Sequence, residues 1–336
     1  MSKIFKVAVI GCGAVSRNHG QELQKNPLTR ILYCVDIKQE KAQAFSERFG
    51  GIPVADYREV LSDPELDAVH VCTPHSTHAE IVIASLEHGK HVFSEKPMAI
   101  HSSDAERINA VVGKTGLYYG VCFQNRLNPA TISAQRIIEE QRYGKIVSAL
   151  ATVAWDRGGA YYAQSDWRGR YTTEGGGCVI NQSIHTIDLL NYLCGDVVGV
   201  TALDGRLRQT EDYEVEDSCI ANFELSQGIK AVGFFSNCYP TGKKAQLEII
   251  CEKARLTVDQ SGLCIETLEN GREFFPCKVA HGEKSEWGLS HGLLINEFYV
   301  AMAEGRPFMV NGDSAIKAVR IVEAMKNSKG RYLALP

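Results

Sequence analysis

A close pair of glycines ending the first apolar run, Gly11-Cys12-Gly13, limits this chain more than any other feature. A strand stops there, the backbone turns sharply, and Ala14, Val15 and Ser16 lead into a helical pattern. Glycine suits a bend with no room for a side chain, and a helix starting at such a bend directs its N–H groups at an anion. Residues 5 to 122 alternate short apolar runs with helical patterns, which predicts parallel strands covered by helices on both faces. The expected strands are Phe5–Ile10, Ile31–Val35, Ala68–Cys72, His91–Ser94 and Tyr118–Cys122. The expected helices include Gln39–Phe49, Thr77–His88 and Asp104–Lys114, with Thr77 and Asp104 as N-caps.

This strand-turn-helix unit, with an acid at the end of the second strand, is the layout of a doubly wound dinucleotide-binding domain. Gly11, Cys12, Gly13, Ala14 and Val15 are expected to cradle a pyrophosphate, and Asp36, 25 positions after Gly11, to accept the adenosine ribose hydroxyls. A carboxylate there repels a 2′-phosphate, so NAD is favoured over NADP, although Lys38 nearby weakens the preference. Ser16 replaces the third glycine and is small enough for close helix packing.

After Phe123 the pattern changes to a helix near Pro129–Arg142 and then strands at Ile146–Trp155, Val198–Arg206, Ser218–Leu225, Ile229–Cys238, Ala245–Cys251, Ala254–Asp259 and Leu263–Leu268. Short connections such as Ser226-Gln227-Gly228 and Gln260-Ser261-Gly262 predict hairpins and a large, mostly antiparallel open sheet. Apolar helices are expected at Ile184–Leu193, Leu293–Glu304 and Ala315–Met325. The chain is thus expected to pair an α/β Rossmann-type domain, residues 1–123, with an α+β domain, 124–336, for substrate binding and oligomerisation. A sheet with helices on one side exposes its other face, which suits a homodimer or homotetramer.

A net charge of −4 gives no reason to expect a nucleic-acid or membrane partner. The opening residues, Met1 to Lys6, carry no apolar signal segment, and no later run is long enough to span a bilayer, so a cytoplasmic location is expected. Eleven cysteines with no Cys-x-x-Cys pair suggest neither a disulfide framework nor a zinc site. His75-x-x-His78 offers two ligands where a metal needs three or four, so no metal is expected.

Several further motifs converge: Val71-Cys72-Thr73-Pro74-His75 with His78, Glu95-Lys96-Pro97, Phe123-Gln124-Asn125-Arg126, Trp167-Arg168-Gly169, Glu174-Gly175-Gly176-Gly177, and Asn181 through Asp188. In combination, and over nearly the whole chain, they resemble the glucose-fructose oxidoreductase, inositol dehydrogenase and MocA (Gfo/Idh/MocA) family. The resemblance implies nicotinamide-dependent oxidation or reduction of a sugar, cyclitol or related hydroxyl compound. It makes Lys96 the active-site lysine, has Glu95 and Pro97 position the nicotinamide end together with Thr73, Pro74, His75, His78 and Gln124, and has His185 face Lys96. Many members carry Asp at the position of Asn181, so a carboxylate helper is missing here.

Hydride removal from a secondary alcohol requires that the hydroxyl proton also depart, so a base must lie within hydrogen-bond reach. Histidine titrates near neutrality, which favours His185 as acid/base; a capping or core histidine is the alternative. Protonated Lys96 stabilises alkoxide charge, with a share in the proton relay if its pKa is lowered. Asn181 stands four residues before His185 on the same helix face and takes part in hydrogen bonding but carries no proton. Trp167 and Arg168 offer a stacking surface and an anion fork, or equally a packed loop anchor, and Arg126 is expected in the substrate set. Tyr161 and Tyr162 fit either a loop over the substrate or an ordinary surface loop, and the run Glu211 to Asp217 reads as a solvated loop. Two other outcomes share these residues: a lyase or glycosidase that retains NAD through a transient oxidation, and a non-catalytic NAD-binding sensor.

Overall fold

The computed structural model describes residues 3–209, 212–269, 271–277 and 290–336. They form two compact units, Met1–Phe123 with His291–Ile316, and Gln124–Ser290 with Lys317–Pro336. The expected assignment of everything after 123 to the second domain is therefore corrected: His291–Ile316 returns to the first. Its aromatic side chains are the reason. Phe298 meets Phe93 at 5.3 Å between ring centres, Tyr299 meets Phe5 at 5.6 Å, and Val121 N–H donates to Val310 O at 3.0 Å.

In the first unit six parallel strands, β1 (Phe5–Ile10), β2 (Thr29–Val35), β3 (Ile52–Val54), β4 (Ala68–Val71), β5 (His91–Ser94) and β6 (Tyr119–Val121), take the order β3-β2-β1-β4-β5-β6. This is the doubly wound arrangement expected, with its switch point between β1 and β4, where such folds bind ligands beyond the strand ends. β1 and β4 are almost wholly buried, as strands covered on both faces must be. The helix after β5 begins at Ser102, so Asp104 lies in its first turn, where its charge complements the dipole, and His101 holds the cap position assigned to it.

The second unit is built on a nine-stranded sheet of β7 (Ile146–Ala154), β8 (Val197–Gly205), β9 (Ser218–Leu225), β10 (Lys230–Ser236), β11 (Gln246–Cys251), β12 (Ala254–Asp259), β13 (Gly262–Thr267), β14 (Arg272–Pro276) and β15 (Tyr332–Ala334). The order is β14-β13-β12-β11-β7-β10-β9-β8-β15, antiparallel throughout except between β7 and β10. Ile184–Cys194 packs against β7 and β11, and Pro129–Glu139 against β12 and β13. Along β9 and β10 burial alternates, so Ala221, Phe223, Ala231 and Phe235 are buried while Ile220 (56%), Val232 (50%) and Phe234 (39%) are exposed. No helix of the described residues is long and apolar enough to cross a membrane.

Two loop expectations fail. Glu211 lies outside the described residues, but Tyr213, Val215, Glu216 and Asp217 are buried rather than solvated. Asp217 accepts from the Leu207 and Arg208 N–H groups at 2.8 and 3.0 Å and from the Tyr213 hydroxyl at 2.7 Å, so its charge is offset by donors four to ten positions before it. Tyr162 is buried too, stacked on Tyr213 at 4.2 Å, which fixes the segment that was expected to be a surface or covering loop.

Candidate active site

In the first unit, Gly11 has φ +91°, and a Cβ on it would stand 2.6 Å from the Cys72 carbonyl oxygen. The fold itself therefore demands glycine where β1 and β4 end. Gly13 differs: a Cβ there would meet no protein atom within 4 Å, so its bareness leaves open space beside the turn. Open space beside a turn that leads into the helix Ser16–Lys25 is what the expected pyrophosphate contact requires. Ala14 is exposed, Val15 is half-buried, and buried Ser16 donates to Gly13 O at 2.7 Å, tightening the turn. Asp36 accepts from Cys12 N–H and Lys38 N–H, each at 2.9 Å, one on each oxygen. A carboxylate has about four acceptor sites, so capacity for two ribose hydroxyls remains.

Past the ends of β4 and β5 the predicted nicotinamide-side residues gather. His78 is fully buried and has Pro97 O 2.7 Å from Nδ1 and Thr73 O 2.9 Å from Nε2. It therefore sits between the Thr73-Pro74-His75 loop and the Glu95-Lys96-Pro97 segment, and as a neutral imidazole it donates to one of the two carbonyls. Burial pushes its pKa down and outweighs the pull of those two carbonyls. His75 is buried beside it, with ring centres 5.8 Å apart. Lys96 is only 4% exposed, and its bond to Pro97 is cis.

No pattern along the chain marks what holds Glu95. His19 Nε2 lies 3.0 Å from Glu95 Oε1, His19 Nδ1 lies 2.7 Å from His70 Nδ1, and His70 Nε2 lies 2.8 Å from Tyr299 Oη. All four side chains are buried. An ionised Glu95 only accepts, so His19 Nε2 carries a proton; with His19 neutral, its Nδ1 accepts from His70, whose Nε2 accepts from Tyr299. Burial alone would raise the Glu95 pKa, but the hydrogen bond from His19 and the His291 imidazole 3.7 Å away carry it well below the ordinary carboxylate range. Burial holds His70 well below the ordinary imidazole value. Cys122 adds a sulfur to within 4.8 Å of the His19 and Glu95 ligand atoms. That grouping has metal-ligand spacing, but two of its atoms are hydrogen-bonded to each other.

In the second unit, Asn181 falls in a π-helical segment, Cys178–Ser183, that runs into the α-helix Ile184–Cys194 bearing His185. Glu216 shapes it: its carbonyl accepts Cys178 N–H at 3.0 Å and its carboxylate accepts Val179 N–H at 3.2 Å. A Cβ on Gly177 would stand 1.9 Å from that carbonyl, which explains one glycine of the triplet. π-Turns of this kind concentrate at functional sites. Asn181 donates to Glu174 Oε1 at 2.5 Å, and Gly169 N–H donates to Glu174 Oε2 at 2.6 Å. Asn181 and His185 are each 6% exposed.

The other expected residues divide. Arg126 engages Asp188 with both arms of its fork, at 2.8 and 2.5 Å, and lies over the Tyr192 ring at 4.9 Å. That bidentate, buried pair joins the 3-10 turn Gln124–Leu127 to the helix of His185 instead of leaving the fork for a substrate anion. Arg168 lies over Tyr161 at 4.5 Å and Trp167 at 5.5 Å, and Thr173 donates to Trp167 O at 2.6 Å, so the Trp-Arg pair is packed and half-buried. Gln124 is fully buried.

Residues 5–123 match the model described as an oxidoreductase family with an NAD-binding Rossmann fold, and residues 131–257 match the GFO/IDH/MocA C-terminal domain. A levoglucosan dehydrogenase of Pseudarthrobacter phenanthrenivorans is 30% identical over 178 residues, 53% of this chain and 45% of that protein, so the chain spans less than half the length of that relative. A myo-inositol 2-dehydrogenase of Thermotoga maritima is 25% identical over 329 residues, 96% of each chain. Among solved structures, the WlbA dehydrogenase of Bordetella pertussis, in complex with NADH and UDP-GlcNAcA, matches with a TM-score of 0.87 at 25% identity over 99% of both chains.

Proposed function

The chain belongs to the Gfo/Idh/MocA family of NAD-binding oxidoreductases, and from that premise we propose that it moves a hydride between nicotinamide and a secondary hydroxyl or ketone of a sugar, cyclitol or sugar derivative. It is an NAD-dependent dehydrogenase by family. The residues suited to holding NAD are Gly11, Gly13 and the helix start for the pyrophosphate and Asp36 for the ribose; when bound, NAD supplies the hydride acceptor. Lys96 holds the negative charge that develops on the reacting oxygen, and His185 takes the hydroxyl proton.

The observation that carries this reading is the burial of Lys96 at the end of β5, in a segment fastened by His78 and Glu95. Lysine is rarely buried without a task or partner, and strand ends of doubly wound sheets are where ligands bind. The likeness to a myo-inositol 2-dehydrogenase and a levoglucosan dehydrogenase supports a polyol or sugar substrate. The exposed row Ile220, Val232 and Phe234 supports a second copy of the chain on the open sheet face. Purified protein, checked first for copurified NAD, is to be screened with polyols, aldoses and sugar acids for absorbance in the reduced-nicotinamide band. NADH formation with one of these supports the reading; none with any of them overturns it.

A further inference from the structure

Resting on the reading that Asn181 and His185 border the reacting carbon, we propose that Glu174 is a positioning residue whose carboxylate decides which side of the Asn181 amide meets the substrate. The Asn181 amide nitrogen gives one hydrogen to Glu174 Oε1 at 2.5 Å and faces Tyr161 Oη at 3.4 Å with the other. An amide with both N–H bonds directed that way turns its carbonyl oxygen to the opposite side, as an acceptor. Aspartate accepts on every side. Asparagine does so toward a substrate hydroxyl only when its amide is held, and Glu174 does the holding.

The holder is itself fixed. Glu174 is fully buried, and its second oxygen accepts the Gly169 N–H at 2.6 Å. Tyr161 Oη accepts from Gln182 at 2.9 Å, Gln182 accepts from Asn237 at 3.2 Å, and Asn237 also donates to Tyr162 Oη at 3.1 Å. This connected run of buried hydrogen bonds, from Asn237 through Gln182 to Tyr161, limits the positions open to the Tyr161 hydroxyl.

A protonated Glu174 becomes a donor and suits the Asn181 carbonyl instead, so the amide turns over and presents donors. Burial pushes the Glu174 carboxyl up to about 7, against the hydrogen bonds from Gly169 and Asn181 and the charge of Arg168. Glu216 faces it as a second carboxyl that adds to the rise, and the hydroxyls of Tyr161 and Tyr162 are raised by burial. Arg157 stands beyond Tyr161, 5.3 Å over its ring. The ionised form is the working form, so turnover rises with pH through neutrality.

The test compares wild type, Glu174→Gln and Glu174→Gln/Asn181→Asp in kcat and KM for NADH formation across that pH range. Glu174→Gln should lower kcat about tenfold to a hundredfold with KM changed far less, and should lose the neutral-pH rise. The double variant, with an acceptor that needs no holding, should regain most of kcat. Wild-type kcat and pH profile in Glu174→Gln, or a double variant no better than the single, overturns the proposal. A carbon-13 titration of glutamate carboxyls, followed with the Asn181 side-chain amide signal, requires no turnover. A carboxyl titrating near neutrality in step with that amide, and missing from Glu174→Gln, supports the proposal; the absence of such a carboxyl overturns it. A wild-type chain inactive on every polyol and sugar fails the dehydrogenase reading, while the carbon titration still decides the link between Glu174 and Asn181.

Discussion

His19 and Glu95 face each other 3.0 Å apart, Nε2 to Oε1, with side chains no more than 6% exposed. A carboxylate in that position is stable only with its donors, because one partner removed leaves an uncompensated buried charge.

His19→Leu is therefore expected to destabilise the first unit by about 3 kcal/mol at neutral pH, seen as a clear fall in Tm. The Glu95 pKa is depressed in the fold, so its stabilising share is present above the ordinary glutamate pKa and lost as pH falls through the folded value. The Tm gap between variant and wild type should thus close only in acid. An unchanged Tm at neutral pH refutes the pairing.

Glu174 works the other way. Its folded pKa of about 7 lies above the ordinary value, so the folded state binds the proton more tightly and loses stability as pH rises from the ordinary glutamate range to about 7. The penalty is on the order of 3 kcal/mol above that range. Glu174→Gln should gain in Tm relative to wild type on going from mildly acid to mildly alkaline buffer, as measured by calorimetry.

Lys96→Ala and His185→Ala should each lower turnover about a hundredfold or more while sparing NAD affinity, measured by steady-state kinetics and dinucleotide fluorescence titration. Full activity in either variant removes that residue from the proton and charge assignments.

Gly13→Ala adds a Cβ that meets no protein atom within 4 Å, so Tm should stay near wild type while NAD affinity falls. Gly11→Ala meets the Cys72 carbonyl and should lower Tm itself. Asp36→Ala should weaken NAD and narrow its advantage over NADP, which the ratio of the two dissociation constants reads directly.

Ile220→Glu with Phe234→Glu puts two charges on the exposed sheet face, where the two residues sit opposite each other in register. Sedimentation should then show smaller particles than wild type. Identical sedimentation excludes that face as the subunit interface.

The parallel half was legible because buried strands and amphipathic helices repeat with fixed periods around the Gly11-Cys12-Gly13 turn. β3 and β15, three residues each, are too short to show a period, and β14 is exposed throughout, so no alternation marks it. The π-helical turn was not legible because its cause, Glu216, lies 37 positions from Val179 in the chain. For the same reason the acidic run looked solvated: its donors come from the Cys178, Val179, Leu207 and Arg208 backbones. His19 sits among Ser16, Arg17, Asn18 and Gln21, a stretch whose polarity suggests an outer helix face. The motif residues Lys96, Asn181 and His185 were found by resemblance, whereas Glu174, Tyr161, Gln182 and Asn237 act together only once folded.

The return of His291–Ile316 to the first unit means that the dinucleotide-binding half is not a detachable module of its own N-terminal gene segment. A fragment ending at Phe123 would leave Phe5 and Phe93 without their covering rings and His70 without the Tyr299 hydroxyl. Any recombination that grafts this half onto another catalytic domain must carry two stretches of sequence, not one.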